Sequence, residues 1–394
     1  PDTEVSERLM SHPCVPADNG GSKVRLYPSR WPIMGARFTE REVRSMKITH
    51  IETIALLDPG KASETVVRVH TDEGVTGIGQ AESPSLVIDA IIHCQEGLEN
   101  LLRGEDPLEV ERLWQKMYNA TGLFGRRGVT IAAIGAVETA LWDIAGKALG
   151  KPVHQLIWRS FATTAVSAEP KGRVTPYATV YSPGDTMEQT RERFSQAVSR
   201  GFRAVKLEEW PGMFGQGSLD TDVAVVRLVR EVIGEERDLL IDVQNRWQEV
   251  GQAVATIRAI EQYRPFFIEA PLPADNLEGY ARLADMVVTR IAAGDWGFAS
   301  RFDFEALMTQ GRVDVVQPSS VRAGGISEIL KVAEMAYRRG LLCVPHAWCH
   351  MVGVAAEVQL AAVVPNMPYI EYPLAFPDSP IISQLLAPPL APDK

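Results

Sequence analysis

Eight short apolar runs between residues 174 and 372 constrain the fold more than any other feature of the chain. They are VTPYATV (174–180), AVKL (204–207), LLIDV (239–243), FFIEA (266–270), RIAAG (290–294), VDVVQ (313–317), LLCVP (341–345) and PYIEY (368–372). Helix-like stretches separate most of them, as at 187–200, 222–233, 250–263 and 326–339. Buried-looking strands that alternate with helices predict a parallel α/β fold. Eight of them in this span fit a closed (β/α)8 barrel of the TIM type better than an open sheet.

The ends of the runs carry the chemistry. Lys206, Asp242, Glu269, Asp295 and His346 stand there, with Glu371 inside the last run. In a (β/α)8 barrel those positions face the catalytic mouth. Carboxylates are seldom buried unless they are paired or bind a metal. Asp242 to Glu269 is 27 residues and Glu269 to Asp295 is 26, about one strand–helix unit each. Three neighbouring strands would therefore aim three hard oxygen donors at one point, a set that suits one Mg²⁺ ion. A single acidic strand end is more simply a helix cap or the partner of a Lys or Arg; three at matched positions favour the metal.

Upstream, residues 1–45 mix Pro, Gly, Ser and charges without periodicity and read as an extension. KITHIETIALL (47–57) and residues 65–70 alternate as strands, with a loop at Asp58-Pro59-Gly60 and a turn at Asp72-Glu73-Gly74. Helical patterns follow from Ser85. This predicts an α+β domain over 46–165 ahead of the barrel domain over 166–394. The net charge of −10 implies no nucleic-acid partner. Four scattered cysteines, without a CxxC pair, imply neither a zinc framework nor a disulfide scaffold. No continuous apolar run approaches a membrane span and the first 45 residues lack the apolar core of a secretory signal, so a cytoplasmic enzyme is expected.

Seven motifs in order resemble the enolase superfamily, and within it the mandelate racemase-like members, from Met46 to about Tyr372. GAVETALWDIAGKALGKPVHQL (135–156) is similar to the helix that closes that family's N-terminal capping domain. GFRAVKLE (201–208), IDVQNRW (241–247), FIEAPLP (267–273), AAGDWG (292–297), VVQPSSVRAGG (315–325) and VPHAW (344–348) resemble its second to seventh strands. The resemblance implies a barrel under an α+β cap, with Asp242, Glu269 and Asp295 as metal ligands; Asp295 is a shorter substitute for the commoner Glu. It implies Lys206 as the first lysine of a Lys-any-Lys motif, His346 as a general acid or base, and Glu371 near a Glu that contacts the substrate carboxylate. The substrate class is then a small anionic carboxylate, and a homo-oligomer is expected.

Two positions depart from the family pattern. Glu208 stands where the second lysine belongs, and Ser319 where an Asp orients the histidine. Serine can hydrogen-bond an imidazole but cannot stabilise its cation by charge. A two-base racemase is therefore disfavoured. Dehydration of an acid sugar to a 2-keto-3-deoxy acid needs one base and one acid, for instance Lys206 or Glu208 with His346 as donor. A racemase, epimerase or sugar-lactone cycloisomerase is the alternative on this scaffold, and a non-catalytic metal- or metabolite-binding barrel the alternative of another class. Trp348 and Trp296 either wall the pocket or pack in the core. Arg126 and Arg127 either meet an anionic substrate or lie in a solvated turn. His350 reads as an incidental loop residue. The family's Gly-rich segment after the last strand is not matched by LAPPLAPDK (386–394).

Overall fold

The structure, a computed structural model, describes residues 46–56, 64–161, 170–181, 186–208 and 218–374. The extension over 1–45, the Asp58-Pro59-Gly60 loop and the C-terminal LAPPLAPDK lie outside the described residues.

The first part is an antiparallel meander of β1 (Ile48–Leu56), β2 (Glu64–Thr71) and β3 (Thr76–Ala81), with the expected turn at 72–74, where Gly74 takes φ +74°. Helices α1 (Ser85–His93), α2 (Leu98–Leu102), α3 (Val110–Ala120), α4 (Val129–Leu149) and α5 (Val153–Phe161) follow. By length and composition α4 is the one described helix able to cross a membrane, but 78% of its apolar window is buried inside the fold. It lies directly on β3 because Gly77 and Gly79 present bare backbone. A Cβ at either would sit 1.9 Å from the carbonyl oxygens of Ala140 and Ala136.

The second part alternates strand and helix throughout. It contains β4 (Pro176–Tyr181), α6 (Met187–Ser199), β5 (Ala204–Glu208), α7 (Leu219–Ile233), β6 (Asp238–Asp242), α8 (Val250–Ile260), β7 (Pro265–Glu269), α9 (Leu277–Met286), β8 (Ile291–Ala293), α10 (Arg301–Ala306), β9 (Val315–Val316), α11 (Ile326–Tyr337), β10 (Leu342–Cys343), α12 (Met351–Ala361) and β11 (Ile370–Leu374). All eight strands pair in parallel, in the order β10-β9-β8-β7-β6-β5-β4-β11. At the seam the Cys343 N–H donates to Asn366 O (2.9 Å) and the Ala347 N–H to Glu371 Oε2 (2.7 Å). The fold is the (β/α)8 barrel with an N-terminal α+β cap.

Side chains alternate across each strand, so one set faces the helices and the other fills the barrel. Val205, Ile241, Ile268, Ile291 and Val316 join the large outer core. Tyr177, Ala204, Leu240, Phe267, Ala292 and Val315, one from each of six strands, form a separate inner plug with Val344 just past β10.

The cap is bonded to the barrel by buried polar groups. Glu138 of α4 accepts the Ile326 and Ser327 N–H groups (2.8 and 3.0 Å), filling the N-terminus of α11, and also the Trp142 indole N–H (2.8 Å). Glu82, just past β3, accepts from the Arg322 guanidinium at 2.5 Å. Glu64 and Gln80 are buried beside the start of α12, where the Gly353 N–H donates to Gln80 Oε1 at 3.0 Å.

Candidate active site

Two residues beyond six of the seven plug residues the inward face becomes polar. Tyr177 is followed by Thr179, Ala204 by Lys206 and then Glu208, Leu240 by Asp242, and Phe267 by Glu269. Val315 is followed by Gln317, Val344 by His346, and Tyr369 by Glu371. A single period-two step thus separates the packed plug from a buried polar layer at the C-terminal mouth.

Lys206, 1% exposed, lies at the centre of this layer. Its Nζ is 2.9 Å from Glu371 Oε1, 3.0 Å from Glu269 Oε2 and 3.4 Å from Asp242 Oδ2. Burial alone would discharge the ammonium, but the carboxylates of Glu269 and Glu371 outweigh it and hold the lysine charged, well above its ordinary range. Glu371 responds in kind. Burial pulls it up, yet the Lys206 cation, the Thr179 hydroxyl (2.5 Å) and the Ala347 N–H bring it down to about 2.

The other carboxyls are driven upward. Burial, opposed by Lys206 and reinforced by Asp295, raises Asp242 to about 6. Burial and the charge of Asp242 raise Glu269 well above the carboxylate range. Glu208, accepting from Gln244 Nε2 at 2.8 Å, is raised to about 8, chiefly by burial. His346 moves the opposite way: burial and the nearby Arg322 cation lower it to about 3, so its imidazole is neutral.

Ser319 does not engage that imidazole. Ser319 Oγ and His346 Nδ1 are both buried and neither has a hydrogen-bond partner. The serine leaves the ring without the orienting acceptor that the resemblance led one to expect. The loop bearing Ser319 is pinned instead by Glu357 of α12, whose Oε1 accepts the Ser320 N–H at 2.7 Å.

Glu357 makes stability depend on pH. Burial raises its carboxyl from 4.5 to about 7. Between those values the unfolded group ionises while the folded one keeps its proton, so stability falls as pH rises through that window. Gln at 357 keeps the bond to Ser320 and cannot ionise. Urea denaturation at pH 5 and pH 8 should show Glu357→Gln gaining about 3 kcal/mol on the parent across the window. Parallel pH profiles for the two proteins would refute the assignment.

Asp295 reaches the mouth by a different route. On β8 the inward position two residues past Ala292 is Gly294, at φ +123°, where a Cβ would strike Phe304 at 2.5 Å. Asp295 follows that turn, buried, with its carbonyl accepting from Arg322 Nη1 at 2.7 Å. Lys206, Asp242, Glu269 and Glu371 are brought together, with Glu208 joined to Asp242 through Gln244. Asp295 is not drawn into that contact, and among the described residues no three His, Cys, Asp or Glu side chains stand in coordinating geometry. The donor chemistry nonetheless suits a divalent cation. Glu269 Oε1 is buried with no partner, and Asp242, Glu269 and Asp295 repel one another, a strain that a bound cation would relieve.

The lesser candidates fall into place around this centre. Trp348, partly buried, packs against Tyr181 at the end of β4 (centroids 5.6 Å apart), so it stands at the mouth. Trp296 is 60% exposed and carries the Arg322 guanidinium over its ring, so it is not core. Arg127 pairs with Asp303 of α10, bracing cap against barrel, while Arg126 is exposed. His350 is not incidental: it is buried at the start of α12 with Nδ1 2.8 Å from Glu64 Oε2 of the cap. Gln317 and Arg322 lie in VVQPSSVRAGG (315–325), where the motif gives neither a role. The step of two from Val315 is the signal that marks Gln317.

A mouth that gathers a buried lysine and several carboxylates above a sealed barrel defines a class of enzyme acting on small carboxylates. Residues 189–394 match the Enolase C-terminal domain-like family, and residues 40–158 the Mandelate racemase / muconate lactonizing enzyme N-terminal domain. The chain belongs to the mandelate racemase/muconate lactonizing enzyme group of the enolase superfamily. It is 32% identical over 305 residues to an arabinonate dehydratase of Saccharolobus solfataricus, covering 77% of each chain. It is 32% identical over 326 residues to a D-galactonate dehydratase of Pectobacterium atrosepticum, covering 82% of this chain and 80% of that one. Among solved structures it resembles the 3,6-anhydro-D-galactonate cycloisomerase from Zobellia galactanivorans, with TM-score 0.76, 27% identity, and coverage of 86% and 90%. A racemase from Streptomyces coelicolor with bound magnesium aligns with TM-score 0.72 and 25% identity over 82% of this chain and 91% of that one.

Proposed function

We propose that this chain dehydrates an acid sugar to a 2-keto-3-deoxy acid with the help of one divalent cation, Mg²⁺. The observation that carries the reading is the buried charged centre, Lys206 among Asp242, Glu269 and Glu371, flanked by Glu208 and His346. The dehydratase names of the two curated relatives support the substrate class. Asp242, Glu269 and Asp295 would hold the cation, which supplies electrostatic stabilisation for charge developing on the substrate carboxylate. Lys206 adds a fixed positive charge at the same place, and as a charged ammonium it is a stabiliser rather than a base.

The directions of the shifts at His346 and Glu208 support one division of the proton transfers. His346 is neutral and accepts the α-proton, helped by the substrate's own negative charge, which raises its basicity. Glu208, raised to about 8, holds a proton at neutral pH and gives it to the departing β-hydroxyl, which leaves as water. The enol that remains tautomerises to the keto acid. These roles are the reverse of the sequence-based expectation for His346. Glutamic acid in the lysine position also disfavours two-sided racemisation.

The experiment is a panel of acid sugars with Mg²⁺, scored for keto-acid formation and for α-proton exchange in D₂O. His346→Asn should lose both signals. Glu208→Gln should keep exchange while product formation falls about 10²-fold. The opposite pattern would exchange the two roles, and a parent protein giving neither product nor exchange would refute the reading.

A further inference from the structure

Gln317 lies in the polar layer, yet among the described residues nothing uses its side chain. It is fully buried, and its N–H is bonded to Ala293 O at 2.9 Å, so the residue is fixed at the end of β9. Neither Oε1 nor Nε2 has a hydrogen-bond partner. A buried primary amide with both ends idle is rare in folded proteins, because each unmet group loses its water without replacement. Gln317 follows Val315 on the inward face of β9, between the strand that leads to Asp295 and the strand that leads to His346. Ser319 Oγ and His346 Nδ1, on the adjoining loop and strand, are likewise buried and without partners.

A group of neutral atoms that both donates and accepts matches an alcohol better than an ion of either sign. A hydroxyl gives one hydrogen bond and takes others, and a primary amide matches it with an accepting Oε1 and a donating Nε2. We propose that Gln317 contacts a hydroxyl group of the substrate and sets which polyhydroxy acid the site accepts. The proposal rests on the acid-sugar reading above.

The test compares the parent protein with Gln317→Leu, and with Gln317→Met should Leu fail to fold. Each is given acid sugars and their monodeoxy analogues in Mg²⁺. Turnover is followed as kcat/KM for the keto acid and binding as ligand-induced thermal shift. The parent should prefer the full sugar over at least one monodeoxy analogue by about 10²-fold or more, because loss of that hydroxyl strands a buried amide. In the variant the preference should collapse to within about threefold, with the ligand-free melting temperature unchanged or higher. Preference retained in the variant, or an equal loss for every compound with a lowered melting temperature, would overturn the role of Gln317 alone. If the parent turns over no acid sugar, the dehydratase reading fails and the binding arm still decides for Gln317. If the parent binds none of them either, both fail.

Discussion

Lys206→Met will cut turnover about 10³-fold and weaken the metal-free fold together. The ammonium is buried among Asp242, Glu269 and Glu371, and among the described residues no other cation touches all three. Removing one partner of a buried charge cluster typically costs about 3–5 kcal/mol, because the remaining charges are stranded without water. The loss has a defined pH dependence. Lys206 is the main cause of the low Glu371 value, about 2, and a depressed carboxyl stabilises the fold above its unfolded range. The difference between parent and variant should therefore be full above about pH 5 and shrink as pH falls towards 2. Denaturation in EDTA at pH 8 and pH 3.5 checks this. Saturating Mg²⁺ should restore much of the stability, since the carboxylates remain, while kcat stays down by about 10³-fold. Equal stability of the two proteins at pH 8 in EDTA would show that the cluster does not hold the fold in this way.

Glu269→Gln should separate those two effects. Glu269 is one of three buried carboxyls around a single ammonium, and burial and Asp242 both oppose its charge, so a neutral amide there leaves Lys206 its contacts with Glu371 and Asp242. The metal-free protein should unfold at the parental denaturant concentration or slightly above it. Mg²⁺ affinity, by contrast, should fall by about 10²-fold or more, since loss of even an outer partner of a metal site costs 10–100-fold. Isothermal titration with Mg²⁺ measures this, and turnover should fall with it. Parental affinity in the variant would remove Glu269 from the metal set. The contrast is informative: Lys206 stabilises the empty site and Glu269 serves the filled one.

The architecture was readable because buried parallel strands leave continuous apolar runs, and a barrel puts functional groups at predictable ends. Lys206, Asp242, Glu269 and His346 all stood at such ends, and Glu371 inside the last run. What escaped depends on facts that spacing does not carry. Gly294 takes a left-handed conformation that sets Asp295 outside the regular step, and positive φ is a property of the folded backbone. His350 looked incidental because its partner Glu64 is 286 residues away in the chain. Arg322 meets Glu82 from 240 residues away, across the boundary between cap and barrel. Gln317 is an ordinary amide in the sequence and becomes informative only when both of its polar atoms prove buried and idle. Protonation states were also out of reach, since Glu208 and His346 owe theirs to burial and to neighbours on other strands.

The inner plug and the polar layer above it divide work within single strands. Ala204, Leu240, Phe267, Val315 and Val344 close the barrel, while Lys206, Asp242, Glu269, Gln317 and His346, two residues on, face the mouth. Upper-tier substitutions that strand no buried charge leave the lower tier's packing intact, so a lineage could explore new reactions there without first losing its fold. Glu208 and Ser319 are positions of that kind: they set the proton inventory of the site above a plug that is apolar and buried.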